Sequence, residues 1–148
     1  MPSYTTINEA KVYFNDRLNV QAWECATSDE RRRALAQATN TIDRLNYAGC
    51  RTDATQVNQF PRDGDLLVPE DVKNATSEVA LALLDGVDPE IEYANLVLRS
   101  QAYGGLKANY EAELSNPHYL AGIPSITAWR YLMPYLRDPY EIKLERLT

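Results

Sequence analysis

The segment that begins at Thr27 constrains the fold of this chain more than any other. It opens with Thr27-Ser28-Asp29-Glu30, where the threonine hydroxyl can accept from a backbone N–H three residues later and the glutamate can reach back. Apolar residues then repeat at helical spacing: Leu35, Ala38, Ile42 and Leu45. With Gly49 as a candidate terminator, the pattern predicts a long amphipathic helix from about Asp29 to Tyr47.

A similar signal lies near the start of the chain. Thr6-Ile7-Asn8-Glu9 is a second capping box and predicts a helix that begins there. One apolar stripe follows at helical spacing: Ile7, Ala10, Phe14 and Leu18. We expect a connector containing Trp23 to join this helix to the long one.

Two more helices are predicted downstream. One runs from about Pro69 or Glu70 to Asp85, with Gly86 as its terminator and with Val72, Val79 and Leu83 on one face. The last runs from about Ser125 to Leu136, and its stripe is expected to be Ile126, Trp129, Met133 and Leu136. The stretch from Asp88 to Gln101 stays undecided between helix and strand, with helix favoured.

The segment from Cys50 to Pro69 is polar and contains Phe60-Pro61-Arg62-Asp63-Gly64. Proline favours extended backbone before it, and glycine favours a turn after it. An ordered loop is therefore predicted, with Phe60 buried as its anchor, because a large aromatic ring among polar residues gains most from burial.

Two segments alternate apolar and polar residues as a half-exposed strand does. One follows Gly104-Gly105 and presents Leu106, Ala108 and Tyr110, and it is expected to contact a neighbouring chain. The other is the C-terminal tail, whose candidate docking residues are Tyr140, Ile142, Leu144 and Leu147. A tail that docks on a neighbour and a tail that is a frayed end are equally compatible with this pattern.

Together these patterns predict a mainly α fold, a small four-helix bundle with a short β element and an extended C-terminal tail. The domain organisation expected is one helical domain over residues 1–137 and a docking tail over residues 138–148.

Charge and hydropathy exclude several classes of protein. The formal charge is −6, from 21 acidic and 15 basic residues, which disfavours a strongly basic nucleic-acid binder. The acids concentrate between Asp63 and Glu92, a window of charge −8 that leaves +2 for the remainder. No apolar run approaches the roughly 20 residues of a membrane helix, and the N-terminus has no signal-peptide pattern, so no membrane partner is expected.

The chain offers no catalytic or metal-binding pattern. His118, the single histidine, lies in a turn-like segment and is expected to face solvent. Cys25 and Cys50 are read as reduced and structural, because they lack zinc-site spacing. Asp63-Gly64-Asp65 lacks the other ligand positions of a calcium loop, and Gly104-Gly105 matches no phosphate-binding motif. We therefore expect no enzyme activity, no metal and no cofactor.

Nucleic-acid binding has two weak signals. Arg31-Arg32-Arg33 is a basic triplet without a neighbouring aromatic residue that could stack on bases. Ten tyrosines are many for 148 residues, but they are spread along the chain. Because tyrosine is enriched at protein interfaces, subunit contact is the simpler interpretation.

The order of the blocks resembles that of the tailed-phage head-to-tail adaptor proteins, among which is a group labelled DnaT-like single-stranded-DNA-binding proteins. The blocks concerned are Ala10-x-x-Tyr13-Phe14, Arg17-Leu18, Trp23, Ala38-Thr39, Ile42-Asp43, Phe60-Pro61-Arg62, Val72-x-x-Ala75-Thr76-x-Glu78-x-Ala80 and Leu132-Met133-Pro134-Tyr135-Leu136.

The resemblance implies a structural virion protein that forms a ring, commonly of twelve copies, beneath the portal protein. Such a ring joins the portal to the next tail or neck protein, and packaged double-stranded DNA passes through it without specific binding. By position, the segment from Tyr140 to Thr148 would dock on the portal. The expected location is the head-to-tail interface of the virion, after synthesis in the host cytoplasm.

A channel through which DNA slides benefits from an acidic wall. Many contacts to phosphates would instead hold the duplex in place. Candidate lumen acids are Asp63, Asp65, Glu70 and Asp71. The alternative is a single-stranded-DNA-binding or replication accessory protein. In that case Arg31 to Arg33 and the scattered tyrosines would have to converge in the fold.

Overall fold

The computed structural model describes residues 3–102 and 117–137, and these residues are mainly helical, as predicted. The helices are α1 (Ile7–Asn15), α2 (Gln21–Cys25), α3 (Ser28–Asp43), α4 (Glu70–Leu84), α5 (Pro89–Ala102), α6 (Pro117–Leu120) and α7 (Ile126–Leu132), followed by a 3₁₀ turn (Met133–Tyr135). None of these helices is long and apolar enough to cross a membrane. The four predicted helices correspond to α1, α3, α4 and α7, and α5 takes the favoured helical form.

Both predicted helix starts are confirmed in atomic detail. The hydroxyl of Thr6 accepts from the backbone N–H of Glu9, and that of Thr27 accepts from the backbone N–H of Glu30, each over 3.2 Å. Ser125 caps α7 in the same way through the N–H of Ala128. Each side chain satisfies one of the N–H groups that a helix leaves unpaired in its first turn.

Helix α4 is the centre of the core. It packs against α3 and α7, and it also contacts α1 and α2. Its inward face is formed by small or β-branched side chains that are fully buried: Val72, Ala75, Thr76, Val79 and Ala80. The facing positions of α3 and α7 are equally covered, by Ala38, Ile42, Ala128 and Leu132. The small side chains of Ala38 and Ala128 opposite α4 favour a close approach of the helices, and the larger Ile42 and Leu132 fill the space beside them.

The long helix ends earlier than its sequence predicts. Helix α3 stops at Asp43, because Tyr47 turns inward, forms an antiparallel bridge with Leu136 and donates from its hydroxyl to the carbonyl of Ile42 over 2.7 Å. Gly49 is therefore a loop residue and no helix terminator. Its φ is +78°, which favours glycine, and a Cβ there would have to displace the carboxylate of Asp63.

Two predicted apolar stripes are only partly buried. Leu18 is 81% exposed, because α1 ends at Asn15 and its stripe ends with it. In α7 the buried residues are Ala128 and Leu132, while Ile126 and Met133 are about half exposed and Trp129 is half-buried. The α-helix ends at Leu132 and a 3₁₀ turn that contains Pro134 begins at Met133. The 3.6-residue period of the α-helix therefore does not extend to Leu136. Trp23 lies in α2, where it is buried, and not in a connector.

The predicted loop anchor is confirmed. Phe60 is buried, and its ring centroid lies 4.7 Å from that of Tyr47, 5.7 Å from that of Tyr135 and 6.0 Å from that of Tyr4. Arg62 holds the same loop from inside, donating to the carbonyl oxygens of Ala48 over 3.1 Å and Gly49 over 2.8 Å. Arg62 also pairs with Arg51 in an isolated antiparallel bridge.

Several predicted elements lie outside the described residues. They are the short strand with Leu106, Ala108 and Tyr110, and the tail with Tyr140, Ile142, Leu144 and Leu147. The boundary between residues 137 and 138 therefore stays a prediction. Within residues 3–102 and 117–137, β structure is limited to the two isolated bridges.

Candidate nucleic-acid interface

The first residue of the basic triplet is part of the packing and is not a free cation. Arg31 donates from Nε to the carbonyl of Trp23 over 2.9 Å and from Nη2 to the carbonyl of Glu24 over 3.0 Å. Its Cζ lies 5.2 Å from the centroid of the Trp23 ring. Trp23 is thus an aromatic neighbour of the triplet. Since Trp23 itself is buried, however, its ring is covered and offers no face on which a base could stack.

The other two arginines of the triplet point into solvent. Nη2 of Arg32 lies 2.9 Å from Oδ1 of Asp29, and Nε of Arg33 lies 3.0 Å from its Oδ2. The hydrogen bond from Arg32 and the charge of Arg33 hold the pKa of Asp29 below its ordinary value. Surface pairs of this kind stabilise little, so both guanidinium groups can exchange Asp29 for another anion.

The tyrosines do not converge on the triplet. Tyr4, Tyr47 and Tyr135 surround Phe60. Tyr13 lies apart from them, where its hydroxyl donates to Oε1 of Glu78 over 2.6 Å. Burial raises the pKa of Tyr4, Tyr13 and Tyr47. Tyr4 and Tyr47 are buried, so these two rings contribute to packing within the domain. Tyr103, Tyr110 and Tyr140 are outside the described residues.

A groove of about 550 Å³ separates α1 from α4 and α7. Its acidic lining residues are Glu9, Asp16 and Glu70, whereas its one basic lining residue, Arg17, is paired with buried Glu78. The Arg17–Glu78 pair connects residues 61 positions apart, so no local pattern could have predicted it. A groove of this charge repels phosphate, and it is a poor path for a nucleic-acid backbone.

The four acids proposed for a channel wall, Asp63, Asp65, Glu70 and Asp71, are all exposed. Two of them also have structural contacts. Oδ1 of Asp63 accepts from the backbone N–H of Cys50 over 3.0 Å, and Oδ2 of Asp71 accepts from the hydroxyl of Tyr135 over 3.3 Å.

The other candidate chemical groups have unremarkable surroundings. His118 is buried in α6, so the expectation that it faces solvent is wrong. Its ring lies 4.2 Å from that of Tyr119, and burial lowers the pKa of the imidazole. Cys25 and Cys50 are free and exposed, which does not support a structural role in the core. Within the described ranges, no three His, Cys, Asp or Glu side chains are arranged to hold a metal ion.

Comparison with known proteins gives one match. A family model described as "Putative DnaT-like ssDNA binding protein" matches residues 1–147. Neither a search of curated proteins nor a search of solved structures found a match.

This match overturns the head-to-tail adaptor resemblance and the structural virion function drawn from it. The portal protein, the tail or neck partner and the twelve-copy ring that lets DNA pass unbound are contradicted with it. The physical reason lies in the blocks that carried the resemblance. Most apolar members of these blocks are core residues, for example Phe14, Ile42, Ala75 and Ala80. Such patterns of core residues recur in unrelated helical bundles.

The match spans nearly the whole chain, including all of the described helices. This chain belongs to the family of "Putative DnaT-like ssDNA binding protein".

Proposed function

We propose that this protein binds single-stranded DNA. The observation that carries the proposal is the match over residues 1–147 of the family model described as "Putative DnaT-like ssDNA binding protein". The exposed arginines of α3 support it, since Arg32 and Arg33 lie on the surface in pairs that a phosphate can replace.

The charge distribution suggests how such binding would work. With a net charge of −6, the protein as a whole repels DNA, so contact has to be confined to a local group of cations. The buried positions of Trp23, Tyr47 and Phe60 leave these rings unable to stack on bases. We therefore expect binding dominated by phosphate contacts and strongly weakened by salt.

Fluorescence anisotropy with a labelled oligothymidylate tests the proposal. The purified protein is titrated into the single strand and, in parallel, into a duplex of the same length at low salt. Tighter binding to the single strand supports the proposal. Equal binding to both, or binding to neither, would overturn it.

A further inference from the structure

One face of α3 is polar, exposed and almost free of acids. Arg33, Gln37, Asn40 and Arg44 recur at spacings of four, three and four residues, which places them within one narrow sector of the helix. All four are exposed. We call this set the α3 face. At 1.5 Å per residue, its two arginines lie about 16 Å apart along the helix axis.

The rest of the fold leaves the α3 face uncovered. The opposite side of the helix packs on α4 and α1 through Leu35, Ala38 and Ile42. The sequence has no charged residue between Arg33 and Asp43. Asp43 does not oppose the arginines directly, because its Oδ1 accepts from the hydroxyl of Tyr4 and the backbone N–H of Gln59.

The two arginines differ in their ion pairs. Arg33 shares Asp29 with Arg32 at the start of the helix. Among residues 3–102 and 117–137, Arg44 has no carboxylate within ion-pair distance. The positive charge of the face is therefore least compensated at the C-terminal end of α3.

A further cation extends the face at this end. The backbone N–H of Arg137 donates to the carbonyl of Asn46 over 3.0 Å, next to the bridge between Tyr47 and Leu136. Because Tyr47 faces the core, the adjacent pair of Asn46 and Arg137 faces outward, and both are exposed. Arg137 is thus hydrogen-bonded to Asn46, which follows Arg44 by two residues in the chain.

We propose that the α3 face, continued by Arg137, is the surface along which single-stranded DNA lies. Arg33, Arg44 and Arg137 would contact phosphates, and the side-chain amides of Gln37 and Asn40 would donate to phosphate oxygens or pair with base edges. This inference rests on the proposed function and names the site that performs it. It also explains how an acidic protein can bind DNA, since the acidic groove lies between other helices.

Two double variants with the same change in net charge test the site. Arg33→Gln with Arg44→Gln removes two cations from the α3 face. The control, Lys11→Gln with Arg130→Gln, removes two exposed cations from α1 and α7. Glutamine is a good helix former, so both proteins should fold, and thermal unfolding checks this. Each is titrated with labelled oligothymidylate over a salt series.

Each phosphate contact with a single strand contributes about 0.7 to the slope of log K against log salt. We expect the α3 variant to lower that slope by about 1.4 and the control to leave it nearly unchanged. If wild type binds and both variants lose the same amount, the assigned site is wrong while the proposed function stands. If wild type itself does not bind the strand, the proposed function and this inference are both overturned.

Discussion

Nε of Arg17 lies 2.8 Å from Oε1 of Glu78, and this contact joins the end of α1 to the buried side of α4. The same oxygen accepts from the hydroxyl of Tyr13, whose oxygen lies 3.5 Å from that of Tyr131 on α7. One buried carboxylate thus connects three helices. The hydrogen bond to the Glu78 carboxylate raises the pKa of Arg17.

Replacing Arg17 by methionine should destabilise the protein. The change keeps much of the apolar stem but leaves the Glu78 carboxylate, 2% exposed, without its counter-charge. We expect a loss of about 2 to 3 kcal/mol in the free energy of unfolding, less than for a fully buried pair because the Arg17 side chain is about one-third exposed. Urea unfolding measures it. Arg32→Met, at an exposed ion pair, is the control and should leave the midpoint unchanged.

Phe60 should be the most sensitive position of the loop between α3 and α4. Phe60→Ala removes the ring that three tyrosines surround and leaves a cavity, so we expect a loss of about 3 to 5 kcal/mol. Leu66→Ala in the same loop is the matched control, since Leu66 is 89% exposed. Similar unfolding midpoints for the two variants would show that the aromatic cluster is not the loop's anchor.

Within the basic triplet, only Arg31 should contribute to the stability of the fold. Arg31→Gln loses the contact with the Trp23 ring and two hydrogen bonds to the carbonyls at the end of α2, so we expect a loss of about 1 to 2 kcal/mol. Arg32→Gln should unfold at the wild-type temperature. Thermal unfolding by circular dichroism compares them, and equal midpoints would contradict the structural role of Arg31.

His118 should make stability depend on pH below neutrality. Burial lowers its pKa from the ordinary value of 6.5, so the folded protein binds the proton less tightly than the unfolded chain. The stability that this provides is complete above about pH 6.5 and is lost as the pH falls toward the folded-state pKa. His118→Gln should have a flatter profile of unfolding free energy between about pH 7 and pH 5. Parallel profiles for the two proteins would show that the histidine does not titrate in this way.

The sequence predicted the features that depend on neighbouring residues. The caps at Thr6 and Thr27 follow from side chains three residues from the N–H groups that they satisfy. Phe60 was predictable because it is a lone aromatic ring in a polar loop. The end of α3 was not, because Tyr47 leaves the helical path to pair with distant Leu136.

The candidate site was harder to predict for the same reason. The partner of Arg31 lies eight residues away across a helix break, and that of Arg17 lies 61 residues away. The α3 face has a helical period, but a polar helical stripe is also typical of any solvated helix face, so its spacing alone does not mark a binding surface. The adaptor resemblance failed because it was carried by core residues. Such residues determine how helices pack, and they do not determine what the protein binds.

The proposed binding of single-stranded DNA through a local cationic surface can be measured as the affinity of the wild-type protein for labelled oligothymidylate between about 50 and 200 mM salt. We expect measurable binding at the low end and a linear fall of log K with log salt, with a slope equivalent to about three phosphate contacts, or roughly −2. No binding at the lowest salt, or an affinity independent of salt, would contradict it.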